Sequence, residues 1–283
     1  MKKKITNMLS TAVLLVLFAA YMFPFVMVLI NSLKQKRDII KSPFSWLFTI
    51  KGLSFDNFVK AFTQMDFPRA FGNSLIVTVT ATVLVTLLAS MLAYYIVRHN
   101  NKISKLTFSF MVASMIIPFQ VVMLPLISTF RDVGDFVGIS MLQSIPGIVF
   151  AYCRFGGAMT VFILTGFIKN IPYELEEAAS IDGCAPEGVF FRIIFPLLKP
   201  VIMTVTILNG MWIWNDYLLP SLMLGQNGKV KTLPVAVQAF VGSYVKQWDL
   251  ILTAALLAII PMIIVFLIGQ KQIMNGMVEG AIK

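Results

Sequence analysis

The sequence predicts an all-α integral membrane protein, a bundle of six transmembrane helices. Of the 283 residues, 58% are apolar and 13% are charged, and the mean hydropathy is +0.84, well above that of a soluble domain. Six apolar stretches are each long enough to cross a hydrocarbon core of roughly 30 Å, which takes about 20 helical residues. None of them alternates apolar and polar residues as the strands of a membrane barrel do.

The six predicted spans follow one another along a single transmembrane domain, residues 1–283. They cover residues 8–33, 71–97, 106–130, 145–168, 201–224 and 250–268. Because lipid cannot satisfy backbone polar groups, each span is expected to be a helix. A long polar loop, 169–200, follows the fourth span, and a polar tail, 270–283, follows the sixth.

We interpret the first span as uncleaved. Lys2, Lys3 and Lys4 precede it, as in a secretory signal peptide, but the apolar run from Met8 to Leu33 is too long and lacks a convincing cleavage site. An even number of spans places both termini on one side of the membrane. Lys and Arg divide evenly between the two sides, so the positive-inside rule alone gives no orientation.

Prolines interrupt several of the spans. They are Pro24 in the first, Pro118 and Pro125 in the third, Pro146 in the fourth and Pro261 in the sixth. Each removes a backbone hydrogen bond and tends to kink its helix. Such a kink either opens a cavity, serves as a hinge or only adjusts packing, and the sequence leaves these alternatives open.

The composition argues against several other classes of function. His99, Cys153 and Cys184 are too few and too far apart for a zinc site or a disulfide framework, so no metal is predicted. The 23 Lys and Arg against 13 Asp and Glu form no basic face with interleaved aromatics, which argues against nucleic acid and for anionic lipid headgroups. The segment Gly225–Val230 has the wrong spacing for a P-loop, so no ATP site is predicted in this chain.

The loop after the fourth span contains a well-formed helix. Pro172 suits its first turn, and Gly183 supplies the left-handed residue that commonly ends a helix. Glu174, Glu176 and Glu177 place negative charge at the positive end of the helix dipole.

A second short helix is predicted from Pro186 to Arg192. Helices this short are unstable alone in water, so each must pack on something. The loop carries more apolar surface than a solvated connector needs, at Ala178, Ala179, Ile181, Val189, Phe190 and Phe191. Either another protein covers this surface or the bundle itself does.

Glu177-Ala178-Ala179, then Gly183 four residues after the second alanine, then Ile193 and Pro196, form a recognisable pattern. This pattern resembles the EAA loop of permease subunits of ATP-binding-cassette importers. In that family the helix of the loop docks into a cleft on a cytoplasmic ATPase and transmits its closure to the membrane spans. The resemblance implies a cytoplasmic coupling helix with a docking core formed by Glu177, Ala178, Ala179, Asp182 and Gly183.

Other segments extend the resemblance to nearly the whole chain. They are Asn31–Lys34, Leu53–Phe58, Asn73-Ser74, Trp214–Tyr217 and the tail Gln270–Lys283. Together they are similar to the sugar-importer branch typified by the six-span maltose permease subunit. The resemblance implies import of a di- or oligosaccharide, of raffinose or multiple-sugar type. Importers for monosaccharides or glycerol-phosphate use similar chains and remain the alternative.

The same resemblance implies a set of partners and a location. The expected partners are a second permease subunit forming a heterodimer, two cytoplasmic ATPase subunits that bind the ATP, and an extracytoplasmic sugar-binding protein. The chain itself is then a transport subunit without catalytic residues or a cofactor of its own. It lies in a bacterial-type inner or plasma membrane, with both termini cytoplasmic because the docking loop must face ATP.

The fifth span carries a polar and aromatic face. Asn209, Trp212 and Asp216 recur at i, i+3 and i+7, and Asn215 lies beside them. Sugar hydroxyls need hydrogen-bond partners and sugar C–H faces stack on indole, so these four residues are the candidate substrate pathway. A charge within a span costs roughly 2.5 to 3.5 kcal/mol, so Asp216 needs a partner or water. The alternative is a structural Asp216 that caps or pairs near the outer end of the helix, because Pro220 follows closely.

Two further classes of function are disfavoured. A self-powered secondary carrier usually places ion-coupling groups on paired or broken helices in repeats, and this chain shows one intramembrane acid and no convincing repeat. A membrane-embedded enzyme needs a cluster of reactive groups that the sequence does not display. Arg154, in the fourth span, either snorkels outward, pairs with Asp216 or contacts an extracellular partner.

Overall fold

The computed structural model describes residues 2–45, 54–225, 228–241 and 247–281, with side chains described from Asn7 to Gln270 within those ranges. These residues form helices and no strand, which confirms the predicted all-α class. Leu53, the middle of Gly225–Val230 and the tail side chains beyond Gln270 lie outside the described residues. The helices are α1 Lys2–Ser32, α2 Lys36–Lys41, α3 Asp56–Gln64, α4 Phe67–Arg98, α5 Lys102–Ile116, α6 Phe119–Val137, α7 Ile145–Ile168, α8 Glu174–Ile181, α9 Pro186–Val189, a π-helical segment Phe190–Ile194, α10 Phe195–Leu197, α11 Lys199–Asn215, α12 Leu218–Met223, α13 Leu233–Gln238 and α14 Trp248–Ala281.

Four of these helices contain stretches long and apolar enough to cross a membrane alone. They are Asn7–Ser32, Phe67–Arg98, Ile145–Ile168 and Trp248–Gln270. Two bent helix pairs, Lys102–Ile116 with Phe119–Val137 and Pro186–Leu197 with Lys199–Asn215, pass the same test together, which brings the described residues to six candidate spans.

The predicted third span, 106–130, is interrupted. Helix α5 ends before Ile117, α6 begins after Pro118, and the two axes differ by 112°. Proline has no N–H for the helix and pushes the preceding residue into extended backbone, which Ile117 adopts with ψ 116°. The kink expected at Pro118 is therefore a full break, whereas Pro125 lies inside α6.

The predicted fifth span, 201–224, is also divided. Helix α11 ends at Asn215, Asp216 is extended with ψ 125°, and α12 restarts at Leu218. The Asp216 side chain accepts a hydrogen bond from the Leu218 N–H at 3.0 Å, which favours the start of a new helix over the continuation of the old one.

The chain divides into two compact units, Met1–Pro68 with Ala236–Pro261 and Arg69–Val235 with Met262–Lys283. In the first unit, Asn57 Nδ2 donates to the carbonyls of Ser32 at 3.0 Å and Lys34 at 2.9 Å. Thr253 Oγ1 also donates to the Ser32 carbonyl, at 3.1 Å. Burial lowers the pKa of the Lys34 ammonium, although Asp38 acts in the opposite direction. The end of α1 and the start of α3 are thus held together by side-chain to backbone bonds.

In the second unit, α4, α7 and α11 pack on one another around two apolar clusters. One cluster joins the C-terminal halves of α4 and α7 to the loop after α7, and it includes Ala93, Leu164 and Phe190. The other lies toward the opposite ends of those helices, around Val77 and Tyr152. The loop 169–200 therefore packs at one end of this unit, and the other end carries the broken region after α11.

Candidate functional site

Helix α8 forms where the sequence predicts it and ends as predicted. Gly183 has a φ of +81°, and its N–H donates to the Ser180 carbonyl at 3.1 Å. The Cys184 N–H donates to the Ala179 carbonyl at 2.9 Å. These two bonds form a Schellman cap, which needs a left-handed residue and therefore favours glycine at position 183.

The residues of the predicted docking core do not all lie on the same side of α8. Glu177, Ala178, Asp182 and Gly183 are exposed, whereas Ala179 is buried. The four exposed residues lie between the middle of α8 and the second residue after it, where Ala178 and Asp182, four residues apart, share one face. Ala179 instead anchors the helix to the bundle, and its small side chain lets the helix lie close.

The apolar side chains of the loop fall into two groups, one covered by the bundle itself and one exposed, so packing on the bundle accounts for only part of this surface. Val189 and Phe190 are buried in the cluster between α4 and α7. Ile181 is 86% exposed and Phe191 is 47% exposed. The second helical stretch continues past the predicted end at Arg192, through the π-helical segment to Leu197.

Glu176 has a role that the sequence did not reveal. It is buried, and its carboxylate accepts hydrogen bonds from Arg98 Nε at 2.6 Å and from Tyr94 Oη at 2.7 Å. Arg98 also donates to the Ile171 carbonyl at 3.0 Å and lies 5.7 Å from the centroid of the Tyr173 ring. We call Glu176, Arg98 and Tyr94 the latch. Glu176 shares a helical face with Ala179, and the burial of Ala179, which the sequence does not show, turns this glutamate inward.

A second polar cluster lies at the break between α11 and α12. Tyr152 Oη donates to Asp216 Oδ2 at 3.0 Å, and the Tyr152 ring meets the Trp212 ring edge to face with centroids 5.6 Å apart. Tyr152 is fully buried, whereas Trp212 is 45% exposed. Of the two interpretations of Asp216, pathway or structural cap, this geometry supplies the cap and the pairing, and it also keeps Asp216 close to Trp212.

Asn209 and Trp212 line a cavity of about 270 Å³ between α7 and α11. Asn209 Nδ2 donates to Thr160 Oγ1 at 2.9 Å and to the Val205 carbonyl at 2.9 Å. Gly156 lets Asn209 approach α7 closely beside this cavity, since a Cβ there would lie 2.9 Å from Asn209 Oδ1. Asn215 is exposed and donates to the Met211 carbonyl of its own helix at 2.7 Å.

Arg154 forms no ion pair with Asp216 in the part of the chain that the structure describes. Its guanidinium lies 4.8 Å from the centroid of the Phe155 ring, and the side chain is exposed at the edge of a largely apolar cavity of about 550 Å³ beside α4 and α5. The pairing alternative is therefore wrong, and snorkelling or contact with a partner remains. Among the described residues, no group of three or more His, Cys, Asp or Glu side chains is placed to hold a metal ion.

Comparisons with known proteins agree on one family. The family described as "Binding-protein-dependent transport system inner membrane component" matches residues 85–278. The chain is 36% identical over 282 residues to the probable starch degradation products transport system permease protein AmyC of Thermoanaerobacterium thermosulfurigenes, covering 100% of this chain and 99% of that protein. It is 36% identical over 265 residues to the melibiose/raffinose/stachyose import permease protein MelC of Bacillus subtilis, covering 93% and 92%.

A solved structure supports the fold. A chain in the crystal structure of a bacterial ABC transporter involved in the import of the acidic polysaccharide alginate is similar, with a TM-score of 0.76 and 17% identity. The match covers 95% of this chain and 97% of that one.

Proposed function

Because this chain belongs to the family of binding-protein-dependent transport system inner membrane components, we propose that it is the membrane-spanning subunit of an ATP-binding-cassette importer for a di- or oligosaccharide. One observation carries the proposal. The EAA-like segment folds as a capped helix, and it exposes Glu177, Ala178, Asp182 and Gly183 at one end of the second unit. A partner ATPase binds this surface, and Ala179 fixes the helix to the bundle.

The orientation follows from the docking helix. If α8 faces an ATPase, then the loop 169–200 is cytoplasmic. With six spans, both termini then lie on the same, cytoplasmic side. The partners are two ATPase subunits, a second permease subunit that completes the pathway as a heterodimer, and an extracytoplasmic sugar-binding protein that delivers the substrate. ATP is bound by the ATPase subunits.

Asn209, Trp212, Asn215 and Asp216 are the proposed substrate pathway. Asn209 and Trp212 line a cavity, and the indole of Trp212 is half-exposed. Asp216 ends the helix beside it, and Asn215 is open to a neighbouring subunit. Amide, carboxylate and indole groups suit a sugar, whose hydroxyls take hydrogen bonds and whose C–H faces stack on aromatic rings.

The substrate class rests on the relatives. The two named above carry "starch degradation products" and "melibiose/raffinose/stachyose" in their names, and another is a multiple sugar-binding transport system permease of Streptococcus mutans, 31% identical over 265 residues. These names favour an oligosaccharide over a monosaccharide or glycerol-phosphate.

The decisive experiment is copurification of an ATPase with the affinity-tagged chain from native membranes, followed by a Gly183→Trp substitution. A bulky side chain at a φ of +81° strains the cap and projects into the docking surface, so we expect the ATPase to be lost. Gly138→Trp is the matched control, because Gly138 has a φ of +73° at the end of α6 and lies outside the loop.

Retention of the ATPase by Gly183→Trp, or its absence from the wild-type preparation, would contradict the proposal. Uptake by the wild-type complex is then measured with labelled di- and oligosaccharides, monosaccharides and glycerol-phosphate. Saturable uptake restricted to one of the last two would overturn the oligosaccharide assignment and leave the importer assignment intact.

A further inference from the structure

Helix α8 is attached to the rest of the second unit mainly through two of its residues, Glu176 and Ala179. The helix has only eight residues, too few to be stable alone, and a connector without regular helix joins it to α7. In the part of the chain that the structure describes, the side-chain hydrogen bonds from α8 to a spanning helix are those of Glu176, which binds Tyr94 and Arg98 at the end of α4. The pair is buried, with side-chain exposures of 12% for Arg98 and 7% for Glu176.

The latch is built from groups that restrain one another. The two carboxylate oxygens of Glu176 take different donors, one from Arg98 and one from Tyr94. Arg98 donates a second N–H to the carbonyl of Ile171, which lies in the connector that precedes α8. The Tyr94 ring packs 5.2 Å from the Phe190 ring, measured between centroids, which ties the second part of the loop to the same turn of α4. Charge-assisted hydrogen bonds of this kind stabilise the contact and also restrict the relative orientation of the groups they join.

Helix α4 extends from the latch to the opposite end of the unit. It is a continuous helix of 32 residues. Near its first turns, Asn73 Nδ2 donates to the Lys231 carbonyl at 3.0 Å, and Ser74 Oγ accepts from the Leu233 N–H at 2.8 Å. In its middle, Thr86 and Thr206 of α11 share a hydrogen bond of 3.3 Å. One continuous helix therefore contacts the docking loop, the candidate pathway helix and the segment at the far end.

We propose that the latch makes α8 and α4 move as one body, so that force applied to α8 reaches the far end of the bundle through α4. The inference rests on the proposed function, in which an ATPase pulls or pushes α8. Glu176, Arg98 and Tyr94 are then positioning residues for coupling. They act through the placement of α8 and α4, without contact with nucleotide or sugar.

The test measures sugar uptake and ATP hydrolysis together in proteoliposomes containing the whole complex. Glu176→Gln keeps the size of the side chain and removes its charge, and Tyr94→Phe removes one donor and keeps the ring. We expect the ATPase to remain bound and active in both variants, while sugar transported per ATP hydrolysed falls about two- to thirty-fold for Glu176→Gln and less for Tyr94→Phe.

Matched controls separate coupling from general damage. Glu174→Gln makes the same charge change at an exposed position of the same helix, and Lys102→Gln removes an exposed cation just after α4. Both should transport at the wild-type ratio. Glu176→Asp, which keeps the charge on a shorter side chain, should recover part of the loss.

A distance measurement tests the mechanical claim itself. With Cys153 and Cys184 replaced by alanine, spin labels are placed at the exposed positions of Tyr95→Cys on α4 and Glu174→Cys on α8. The mean distance between the two labels should stay constant between the nucleotide-free and ATP-bound complexes. The distribution of that distance should broaden when Glu176→Gln is added.

The outcomes are distinguishable. If the wild-type complex transports sugar but the Glu176→Gln complex has an unchanged transport ratio, or if the wild-type distance changes between nucleotide states, the latch proposal is overturned and the proposed function stands. If the wild-type complex hydrolyses no ATP and transports no sugar, the proposed function itself fails.

Discussion

Glu176, which is buried, and Asp216, which is partly buried, differ in the groups that surround their carboxylates. Glu176 accepts from a tyrosine and from the guanidinium of Arg98, whereas Asp216 accepts from Tyr152 and from a backbone N–H at the start of α12. Both have a phenol at 3.0 Å or less, but in the part of the chain that the structure describes only Glu176 has a cation. The presence of the Arg98 guanidinium beside Glu176 is therefore the main chemical difference between the two sites.

A carboxylate paired with a cation inside a protein is neutral as a unit and holds its two elements in one arrangement. A carboxylate held only by neutral donors has acceptor capacity left over, because each oxygen has two lone pairs. The first arrangement suits a mechanical joint between α8 and α4. The second suits a site at a helix break where polar groups of a passing solute find a partner.

The largest expected effect on stability comes from breaking the ion pair between Glu176 and Arg98. Glu176→Ala leaves the Arg98 guanidinium buried without its counter-ion, and removal of one member of a buried pair typically costs about 3–5 kcal/mol. We expect the thermal unfolding midpoint of the detergent-solubilised complex to fall sharply.

The double variant Glu176→Ala with Arg98→Ala is the control, because it removes the unpaired charge together with its partner. It should recover a large part of the loss. A single Glu176→Ala variant as stable as the wild type would show that Arg98 finds water or lipid headgroups in the complex, and the contrast with Asp216 would disappear.

The second prediction concerns Asp216, whose hydrogen-bond donors are the Tyr152 hydroxyl and the Leu218 N–H. Asp216→Ala removes the acceptor for Tyr152 Oη and for the Leu218 N–H. Leaving such buried groups unsatisfied costs about 1–3 kcal/mol, so the expected loss of stability is smaller than at Glu176. Measurement is again the thermal midpoint of the complex.

Asp216→Asn sharpens this prediction, since it keeps an oxygen acceptor and removes the charge. If the charge matters only for the pathway, Asp216→Asn retains stability and loses uptake. If stability falls as far as in Asp216→Ala, the charge serves the fold, and the structural interpretation of Asp216 accounts for the residue alone.

The sequence predicts the capped helix α8 well because its determinants are local. A proline before the helix, acidic residues in its first turn and a glycine at its end act within about one turn of the chain. The latch is different, because Arg98 and Glu176 are far apart in sequence, and no local rule selects one of three neighbouring glutamates. Only the packing of Ala179 on the bundle decides which glutamate turns inward.

The spans show the same division. Hydropathy locates the apolar segments and gives their lengths, but it does not show whether the helix in each segment is straight. It therefore cannot distinguish a straight span from the 112° break after Ile117, or foresee that α11 ends at Asn215. In both places a backbone feature, a proline or an aspartate that caps the next helix, outweighs the continuous apolar run. The fold class and an interruption at Pro118 were predictable, whereas the 112° size of that break and the end of α11 at Asn215 were not.

The smallest expected change in stability is at Asn215, which tests how far the proposed pathway extends. Its side chain is exposed and, among the described residues, its hydrogen bond goes to the Met211 carbonyl of its own helix, so Asn215→Ala should alter the free energy of unfolding by no more than about 0.5 kcal/mol. Because an exposed amide in the proposed pathway can bind a sugar hydroxyl, we expect a modest rise in the half-saturation concentration for uptake. Thr204→Ala, which likewise loses only a bond to its own helix, is the matched control. Wild-type uptake by Asn215→Ala, beside impaired uptake by Trp212→Ala in an equally stable complex, would confine the pathway to the cavity between α7 and α11, because only the side chain that lines that cavity would then matter to the sugar.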